Sequence, residues 1–349
     1  MQMSDSPPAQ AGRDFFSAQD AQTWIGLLRP GFHLRALDRD AARDEPVVAY
    51  LGGRPMLPEQ VEWPVWQDHG PLNFVAALDC SQVPVSELDI PLPASGQLLF
   101  FYFDGLGDSS IVSSDADSVV NGTRVIYVAD DAEIAERSAP EDMTPYPRLL
   151  LTGELIATVP DNENPALAAA YGDPNDPVAY CDYPTVDPDG TGFWAALGKF
   201  RGDHWPHHQI GGYAQPVQGA VEPEGARALY QEADEPDDAA APNPTDEAEQ
   251  THAPADVSGP DQSMEPDRAI DPDEPTQTGE ADASDEAEKE PDDAAIRELA
   301  SQLVLLAQFD SDSRSGMAWG DTGKLYWMIR REDLAAGRFD KSTFTWQSE

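Results

Sequence analysis

One stretch of this 349-residue chain is too acidic and too poor in aromatic side chains to join a packed domain. Residues 222–293 carry 25 acidic and 3 basic side chains, and Tyr230 is their one aromatic residue. Such a segment cannot bury enough apolar surface to offset the entropy lost on folding. The sequence therefore predicts a disordered acidic insertion over residues 222–293. The rest then forms one folded domain over residues 15–221 and 294–349, preceded by a flexible tail over residues 1–14.

The net charge of the whole chain, −44, restricts its partners. Phosphate backbones and anionic membrane surfaces repel a polyanion, so the sequence predicts neither nucleic-acid nor membrane binding. A negative field of this strength favours a basic protein or peptide as partner. The chain shows no secretory signal, and its two cysteines, Cys80 and Cys181, are too few for a disulfide framework. We therefore expect a cytoplasmic protein.

Apolar runs bounded by glycine and proline predict a β-rich domain with a few short helices. The predicted strands are residues 47–51, 74–78, 98–103, 123–128, 303–309, 325–329 and 344–346, with a strand pair over 149–159 that turns at Thr152-Gly153. The predicted helices are residues 17–28, 164–171, 193–200, 292–299 and 331–336. A loop is expected over residues 173–192, which are rich in Pro, Asp and Gly.

The order of short motifs indicates an internal repeat. A Gly-Gly pair, an apolar strand that ends in Asp, and a Gly that opens the next strand occur twice. They are Gly52-Gly53, residues 74–79 and Gly96 in the first copy, and Gly211-Gly212, residues 305–310 and Gly323 in the second. On this interpretation the acidic insertion lies in one loop of the second copy, where extra length costs little closure entropy. The alternative is a similarity of composition between two β-rich stretches.

At these segments the sequence resembles the YwqG-like family, a bacterial domain of unknown function. The segments that carry the resemblance are residues 51–55, 62–64, 71–79, 208–213, 305–312 and 319–323. Their order along the chain is more specific than any single motif, and the acidic insertion departs from the compact family pattern. The resemblance implies a compact, β-rich cytoplasmic domain. It implies no particular reaction, cofactor or catalytic residue.

Three histidines, His204, His207 and His208, form the densest imidazole cluster of the sequence. With Asp310 they could supply the nitrogen and oxygen ligands of a zinc or manganese ion. Their spacing lacks the i, i+4 pairing of helix-borne zinc sites. The favoured interpretation is a loop in which His208 bonds backbone groups beside the Gly211-Gly212 turn, so no metal and no cofactor are expected.

Aromatic side chains near the turns offer contacts for a ligand or a partner. Trp63 and Trp66 would suit partner binding if they were exposed and loop packing if they were buried. Trp319 and Asp321 lie in a glycine-flanked turn, where they could bind a ligand or only stabilise the turn. The candidate ligand- or partner-binding residues are Arg54, Trp63, Trp66, His208, Trp319 and Asp321.

The sequence thus predicts an α+β, β-rich fold in which two related β-rich halves pack as one compact domain. It contains no nucleophile with a recognisable base and no cofactor-binding loop. The predicted function is a binding module that recognises a protein or a small ligand in a groove between the halves. The alternative is a metal-assisted hydrolase that uses His204, His207 and His208.

Overall fold

The computed structural model describes residues 2–37, 45–105, 116–141, 143–161, 163–171, 206–234 and 292–349. Within these ranges the strands are β1 (Arg29–Ala36), β2 (Ala49–Leu51), β3 (Met56–Pro58), β4 (Val65–Trp66), β5 (Gly70–Pro71), β6 (Asn73–Asp79), β7 (Gln97–Tyr102), β8 (Thr123–Val128), β9 (Ile134–Glu136), β10 (Leu149–Thr158), β11 (His208–Ile210), β12 (Leu303–Asp310), β13 (Lys324–Arg330) and β14 (Thr343–Gln347). The helices are α1 (Pro7–Phe15), α2 (Ala18–Leu27), α3 (Ala116–Gly122), α4 (Pro165–Tyr171), α5 (Val221–Asp234), α6 (Asp293–Gln302) and α7 (Arg331–Ala335).

Ten strands form one antiparallel sheet in the order β14-β13-β12-β11-β1-β10-β2-β6-β7-β8. The two central strands, β1 and β10, pair along eight residues. Two small two-stranded sheets, β3 with β9 and β4 with β5, lie outside this arrangement. The prediction of a β-rich fold is confirmed.

The strand order follows the same scheme when it is read inward from either end of the sheet. Three consecutive strands come first, then a three-residue strand, then one of the central pair. We call β10, β2, β6, β7 and β8 the β8 side, and β1, β11, β12, β13 and β14 the β14 side. Each short strand runs into a Gly-Gly pair with positive φ, Gly52-Gly53 on one side and Gly211-Gly212 on the other. Such angles are accessible to glycine without steric cost.

The inner faces of the two sides pack against each other through aromatic side chains. The ring of Phe100 in β7 lies 5.2 Å from the ring of Phe309 and 5.4 Å from that of Trp327, measured between centroids. Tyr102 contacts Phe344 of β14 at 5.4 Å. Because these rings come from opposite ends of the sheet, the sheet curves until its two sides share one core.

The outer faces of the two sides are covered by different structures. On the β14 side, α5 and α6 pack on Leu303, Leu305, Tyr326 and Met328. On the β8 side, the connection between β2 and β6 supplies the cover, and Trp63 from this connection meets Phe101 edge-on at 5.6 Å. Strands β6 and β12 are therefore buried on both faces, which explains why their sequences are continuous apolar runs.

Two alanines at these inner strands leave no room for a larger side chain. Ala76 and Ala307 are both fully buried, and they pair with Leu51 and Ile210 of the two short strands. We expect Ala76→Leu and Ala307→Leu each to lower the free energy of unfolding by roughly 1–3 kcal/mol, because the added methyl groups overpack the core. Denaturant titration measures this loss. An equal loss for Leu at the exposed Ala335 would show that the effect is not one of core volume.

The segment 149–159 is one strand, so the prediction of a strand pair with a turn at Thr152-Gly153 is wrong. Strand β10 continues through Gly153, which pairs with Leu34. A Cβ atom on Gly153 would lie 2.4 Å from the ring of Phe32. The glycine therefore makes space for a neighbouring side chain and does not form a turn.

The N-terminal residues differ from the predicted flexible tail. Ser6 caps α1, and its side chain accepts a hydrogen bond from the backbone N–H of Ala9, which is fully buried. Trp24 of α2 packs against Gly12 and donates a hydrogen bond to the carbonyl of Pro8 at 3.0 Å. These helices form a small separate core, which includes Leu167 of α4.

The acidic insertion begins later than the sequence predicts. Residues 221–234 form α5, which packs on α6 and the outer face of β12 and β13. Glu224 accepts hydrogen bonds from Thr345 at 2.6 Å and from Gln347 at 3.1 Å, which ties the first turn of the helix to β14. The rest of the predicted insertion, residues 235–291, lies outside the described residues, as do the predicted loop at 173–192 and helix at 193–200.

The other predicted strands and helices agree with the structure to within a few residues. Asn164 and Asp292 cap α4 and α6 through side-chain oxygens, as their positions in the sequence suggest. Strand β1 is a further difference, because the sequence predicts no strand over residues 29–36. None of the helices in the described part of the chain has the length and apolar character that a membrane crossing requires.

Candidate functional site

The aromatic candidates belong mainly to the packing of the β8 side. Trp63 is half-buried and its Nε1 donates to the carbonyl of Leu72 at 2.9 Å. Trp66 is buried and stacks on His69 at 3.9 Å. Trp319 is buried edge-on against Tyr102 and Tyr146. These contacts account for the packing of the three rings, while the buried Nε1 of Trp319 has no hydrogen-bond partner among the described residues.

The polar candidates Arg54 and Asp321 lie on the surface and are not part of a common site. Arg54 pairs with Glu136 at 3.2 Å, and both side chains are about half exposed. Asp321 is exposed, and its backbone carbonyl accepts a hydrogen bond from the N–H of Glu349. The structure thus does not assemble the predicted residues around one opening.

His208 is fully buried, and both of its ring nitrogens are engaged. Its Nδ1 accepts a hydrogen bond from the backbone N–H of Asp310 at 3.1 Å, so the ring proton lies on Nε2, 3.3 Å from Oδ2 of Asp312. The guanidinium group of Arg314 donates a hydrogen bond to the same Asp312 carboxylate at 2.6 Å. Burial opposes ionisation of Asp312, but the hydrogen bonds from His208 and Arg314 outweigh it and hold the pKa of this carboxyl well below its usual range. His208 therefore has no lone pair left for a metal.

His207 points to the outer face of the sheet, where it joins a buried polar group. Its Nε2 donates to Oε1 of Gln209 at 2.7 Å, because the amide nitrogen of Gln209 already donates to the carbonyls of Gly211 and Tyr213. The ring stacks on His33 at 4.6 Å. Burial, helped by the neighbouring His33, lowers the pKa of His207 to about 3. His207 is consequently neutral at any physiological pH.

Asp310 lies next to His207 in this group. Its Oδ2 accepts the backbone N–H of His207 at 2.9 Å and lies 3.8 Å from Nζ of Lys324. Burial raises the pKa of the Asp310 carboxyl, although Lys324 opposes the shift. Two buried acceptors, His207 Nδ1 and Asp310 Oδ1, have no hydrogen-bond partner among the described residues.

This group offers too few ligands for the predicted metal site. Stable zinc sites use three or four protein ligands. His207 and Asp310 each have one free acceptor atom, and His208 has none. In the described part of the chain, no three His, Cys, Asp or Glu side chains are grouped so that they could hold a metal ion. His204, the remaining predicted ligand, lies outside the described residues.

Each side of the sheet has an opening, one beside Gly53 on the β8 side and one beside the start of β1 and the end of β13 on the β14 side. On the β8 side the opening is closed to about 10 Å³, by side chains that include Trp63, Asn73 and Tyr146. On the β14 side it is a groove of about 690 Å³. Ligand pockets commonly have volumes of roughly 300–1,000 Å³. Only the second opening, of these two, has room for a ligand.

We call the larger opening the arginine groove. It is lined by Arg29, Ser301, Gln302, Leu303, Val304, Arg330, Arg331, Glu332 and Ala335. Arg29 begins β1 on one rim, while Arg330 and Arg331 lie at the end of β13 on the other. The end of α6, the start of β12 and α7 complete the lining. Three guanidinium groups therefore face one opening in a chain of net charge −44.

The connections at the turns explain why one opening is filled and the other is open. The connection between β12 and β13 crosses to the β8 side and places Trp319 on Tyr146 at 5.7 Å. The connection between β6 and β7 crosses in the opposite direction, where Leu88 and Ile90 approach Gly211. Leu92 stands five residues before β7, as Trp319 stands five residues before β13. A leucine therefore stands on this connection where the other has an indole.

The arginines of the groove are held in place without being neutralised. Arg29 lies 3.6 Å from Asp89, and its guanidinium stacks on the ring of Tyr213 at 4.5 Å. Arg331 donates a hydrogen bond to the backbone carbonyl of Asp89. Arg330 Nε is buried and has no hydrogen-bond partner among the described residues. Among the described residues, Asp89 and Glu332 supply negative charge at the groove, and Glu222 also interacts electrostatically with Arg29.

Sequence reasoning missed the arginine groove. Two arginines are adjacent at one place in the sequence, Arg330-Arg331, directly after the predicted strand that ends at Ile329. In a chain with only 21 basic residues, that pair was the available signal. Arg29 could not have been found, because it meets the pair only after β1 and β13 fold into the same sheet.

Comparison with protein families places the chain in a family whose function is not established. The profile of a family described as a domain of unknown function, DUF1963, matches residues 49–348. The match covers most of the chain, and the protein belongs to this family. The family resemblance seen in the sequence is thereby confirmed. No curated protein is similar enough to the chain to count as a match.

Proposed function

We propose that the protein is a binding module, and that its ligand is an anion held in the arginine groove. The observation that carries this proposal is the convergence of Arg29, Arg330 and Arg331 on a groove of about 690 Å³. Guanidinium groups only donate hydrogen bonds, and their planar geometry suits carboxylate and phosphate groups. The unpartnered Nε of Arg330 is a buried donor that such a ligand would satisfy.

The groove belongs to one copy of a duplicated sheet in this proposal. Supporting the duplication, irregular pairing occurs beside Val75 in β6 and beside Leu306 in β12. A Cβ atom on Gly53 would meet Arg148 just before β10, and one on Gly212 would meet Gly31 in β1. On this interpretation Tyr146 and Arg29 occupy equivalent positions in the two copies. The opening on the β8 side is filled by Tyr146 and its neighbours, whereas the opening on the β14 side is lined by Arg29.

Binding of simple anions tests the proposed function. We expect saturable 1:1 binding of citrate or inorganic phosphate in isothermal titration calorimetry. Arg330→Gln should weaken binding by about tenfold or more, because a hydrogen bond to a charged group contributes roughly 1.5–3 kcal/mol. Arg54→Gln is the matched control, since Arg54 is an exposed arginine with an ion pair outside the groove. Equal losses in both variants, or no saturable binding of either anion, would refute the proposal.

The metal-assisted hydrolase gains little support from these contacts. His208 uses both ring nitrogens inside the protein, and His207 is held neutral in a buried group. A basic protein or peptide remains a separate proposal that rests on the net charge alone. The arginine groove calls for the opposite ligand charge, so the two proposals concern different surfaces.

A further inference from the structure

Resting on the proposed function, we infer that the anion is the carboxylate of an extended peptide segment, which adds as a strand to the free edge of β12. Strand β12 has eight residues, and β13 pairs along its whole length. On its other edge β11 pairs only with Ala307 and Gln308. Within the part of the chain that the structure describes, the edge from Leu303 to Leu306 therefore has no paired strand on that side, and its first two residues line the groove.

The arginine groove lies along this free edge. Leu303 packs with the helices on the outer face, whereas Val304 belongs to the inner core. Both residues line the groove. Leu303 and Val304 are the first two residues of β12, so the groove reaches both faces of the sheet at the beginning of the strand. In this proposal the backbone of these two residues faces the ligand.

The corresponding edge on the β8 side is already closed by the chain itself. The N–H of Gly52 donates to the carbonyl of Val75 in β6 at 2.8 Å, and the N–H of Gly53 donates to the carbonyl of Tyr146 at 2.7 Å. Among the described residues, Gly211 makes no such bond to Leu306. The two sides therefore differ in this backbone bond, although Leu306 itself is fully buried.

Charge and geometry together select an extended chain with a carboxylate. An added strand forms backbone hydrogen bonds with an exposed edge and gains specificity from the side-chain sites around it. Arg330 ends β13 directly opposite Leu303, at the start of the free edge. Arg29 stands on the facing rim. A strand that enters between β12 and β1 would bring a terminal or side-chain carboxylate to these guanidinium groups.

The part of the free edge that lines the groove, Leu303 and Val304, spans roughly 7 Å at about 3.3 Å per residue, so a short peptide suffices as a probe. We choose a fluorescein-labelled hexapeptide of alternating threonine and valine that ends in two glutamates. Binding is measured by fluorescence anisotropy at about 0.15 M salt, where the Debye length is about 8 Å and the long-range repulsion by the acidic chain is screened. Two further peptides carry N-methyl groups on the odd or on the even backbone nitrogens.

Only one edge of an added strand faces β12, so one N-methyl series should lose at least tenfold in affinity while the other retains it. Ala335→Trp should abolish binding of the parent peptide, because Ala335 is exposed and lines the groove. Ala336→Trp is the control at an exposed neighbour outside the lining. Equal affinity of both N-methyl series, or binding of citrate without binding of the peptide, overturns the strand-addition inference and leaves the proposed anion site standing. If citrate, phosphate and the peptide all fail to bind, both the proposed anion site and the strand-addition inference are refuted.

Discussion

Joining Val221 directly to Ala294 through a short Gly-Ser linker should abolish cooperative folding, although it removes only the segment that looks disordered from its composition. The deletion removes α5 and the cap of α6. Leu229 is lost, and Leu303, Leu305, Tyr326 and Met328 lose part of their cover. Full burial of one such side chain contributes roughly 1.5–3 kcal/mol, so the loss is on the order of 5 kcal/mol or more. Total stabilities of about 5–15 kcal/mol leave little margin for this.

A second deletion separates the helix from the acidic sequence that follows it. Joining Glu235 to Pro291 retains α5 and α6 and still removes most of the charge of the stretch. We expect its thermal midpoint to stay within a few degrees of that of the full chain, as measured by circular dichroism. If the longer deletion also unfolded cooperatively near the wild-type midpoint, the packing of α5 on the sheet would contribute little to stability.

The contrast between these deletions shows what charge patterning can predict. It predicts an insertion in the connection between α5 and α6, because acidic residues are concentrated there. It could not place the boundary, because α5 begins with Glu222 and Glu224, whose carboxylates look solvated in the sequence. In the structure both are bonded: Asn164 donates to Glu222 at 2.7 Å, and Thr345 donates to Glu224. Only tertiary contacts distinguish such carboxylates from those of a solvated stretch.

The strands could be predicted where both faces are buried, because continuous apolar runs such as those of β6 and β12 have few other interpretations. Strand β1 was missed for the opposite reason. Its Pro30-Gly31 start looks like a stop signal, and its polar His33 is buried by neighbours that only the sheet brings together. Proline is tolerated here at the beginning of the strand.

The candidate site was less predictable than the fold. Residue chemistry favoured Trp63, Trp319 and His208, but Trp63 and His208 make internal hydrogen bonds and Trp319 is buried against Tyr146. The arginine groove is distinguished by its volume. A volume depends on how distant segments pack, so it could not be predicted from the sequence. The comparison of Trp319 with Leu92 at corresponding positions becomes meaningful only when the two openings are seen.

We expect the stability of the protein to depend strongly on pH, because His207 is buried beside His33. His207 has a pKa of about 3 in the folded protein, because burial and the neighbouring His33 disfavour its charged form, whereas its ordinary value is 6.5. Between these values the unfolded chain binds a proton that the folded protein does not. Stability from His207 is therefore complete above about pH 6.5 and is lost as the pH falls toward 3. The full difference is on the order of 4 kcal/mol.

Replacing His207 by Gln tests this prediction, because glutamine can still donate to Gln209 but does not titrate. We expect His207→Gln to be less stable than the wild type at pH 7.5, since it loses the stacking on His33. Its unfolding free energy should nevertheless fall less steeply between pH 6.5 and 4, by up to about 1.4 kcal/mol per pH unit.

The difference between the two proteins isolates His207 from its titrating neighbours. Asp310 has a raised pKa and acts in the opposite direction, because the folded protein takes up its proton first as the pH falls. Lys324 and His208 also face this group, and all three are present in both proteins. Parallel pH profiles in urea titrations would mean that His207 binds its proton equally well in the folded and unfolded states, and that the buried group around Asp310 is open to water.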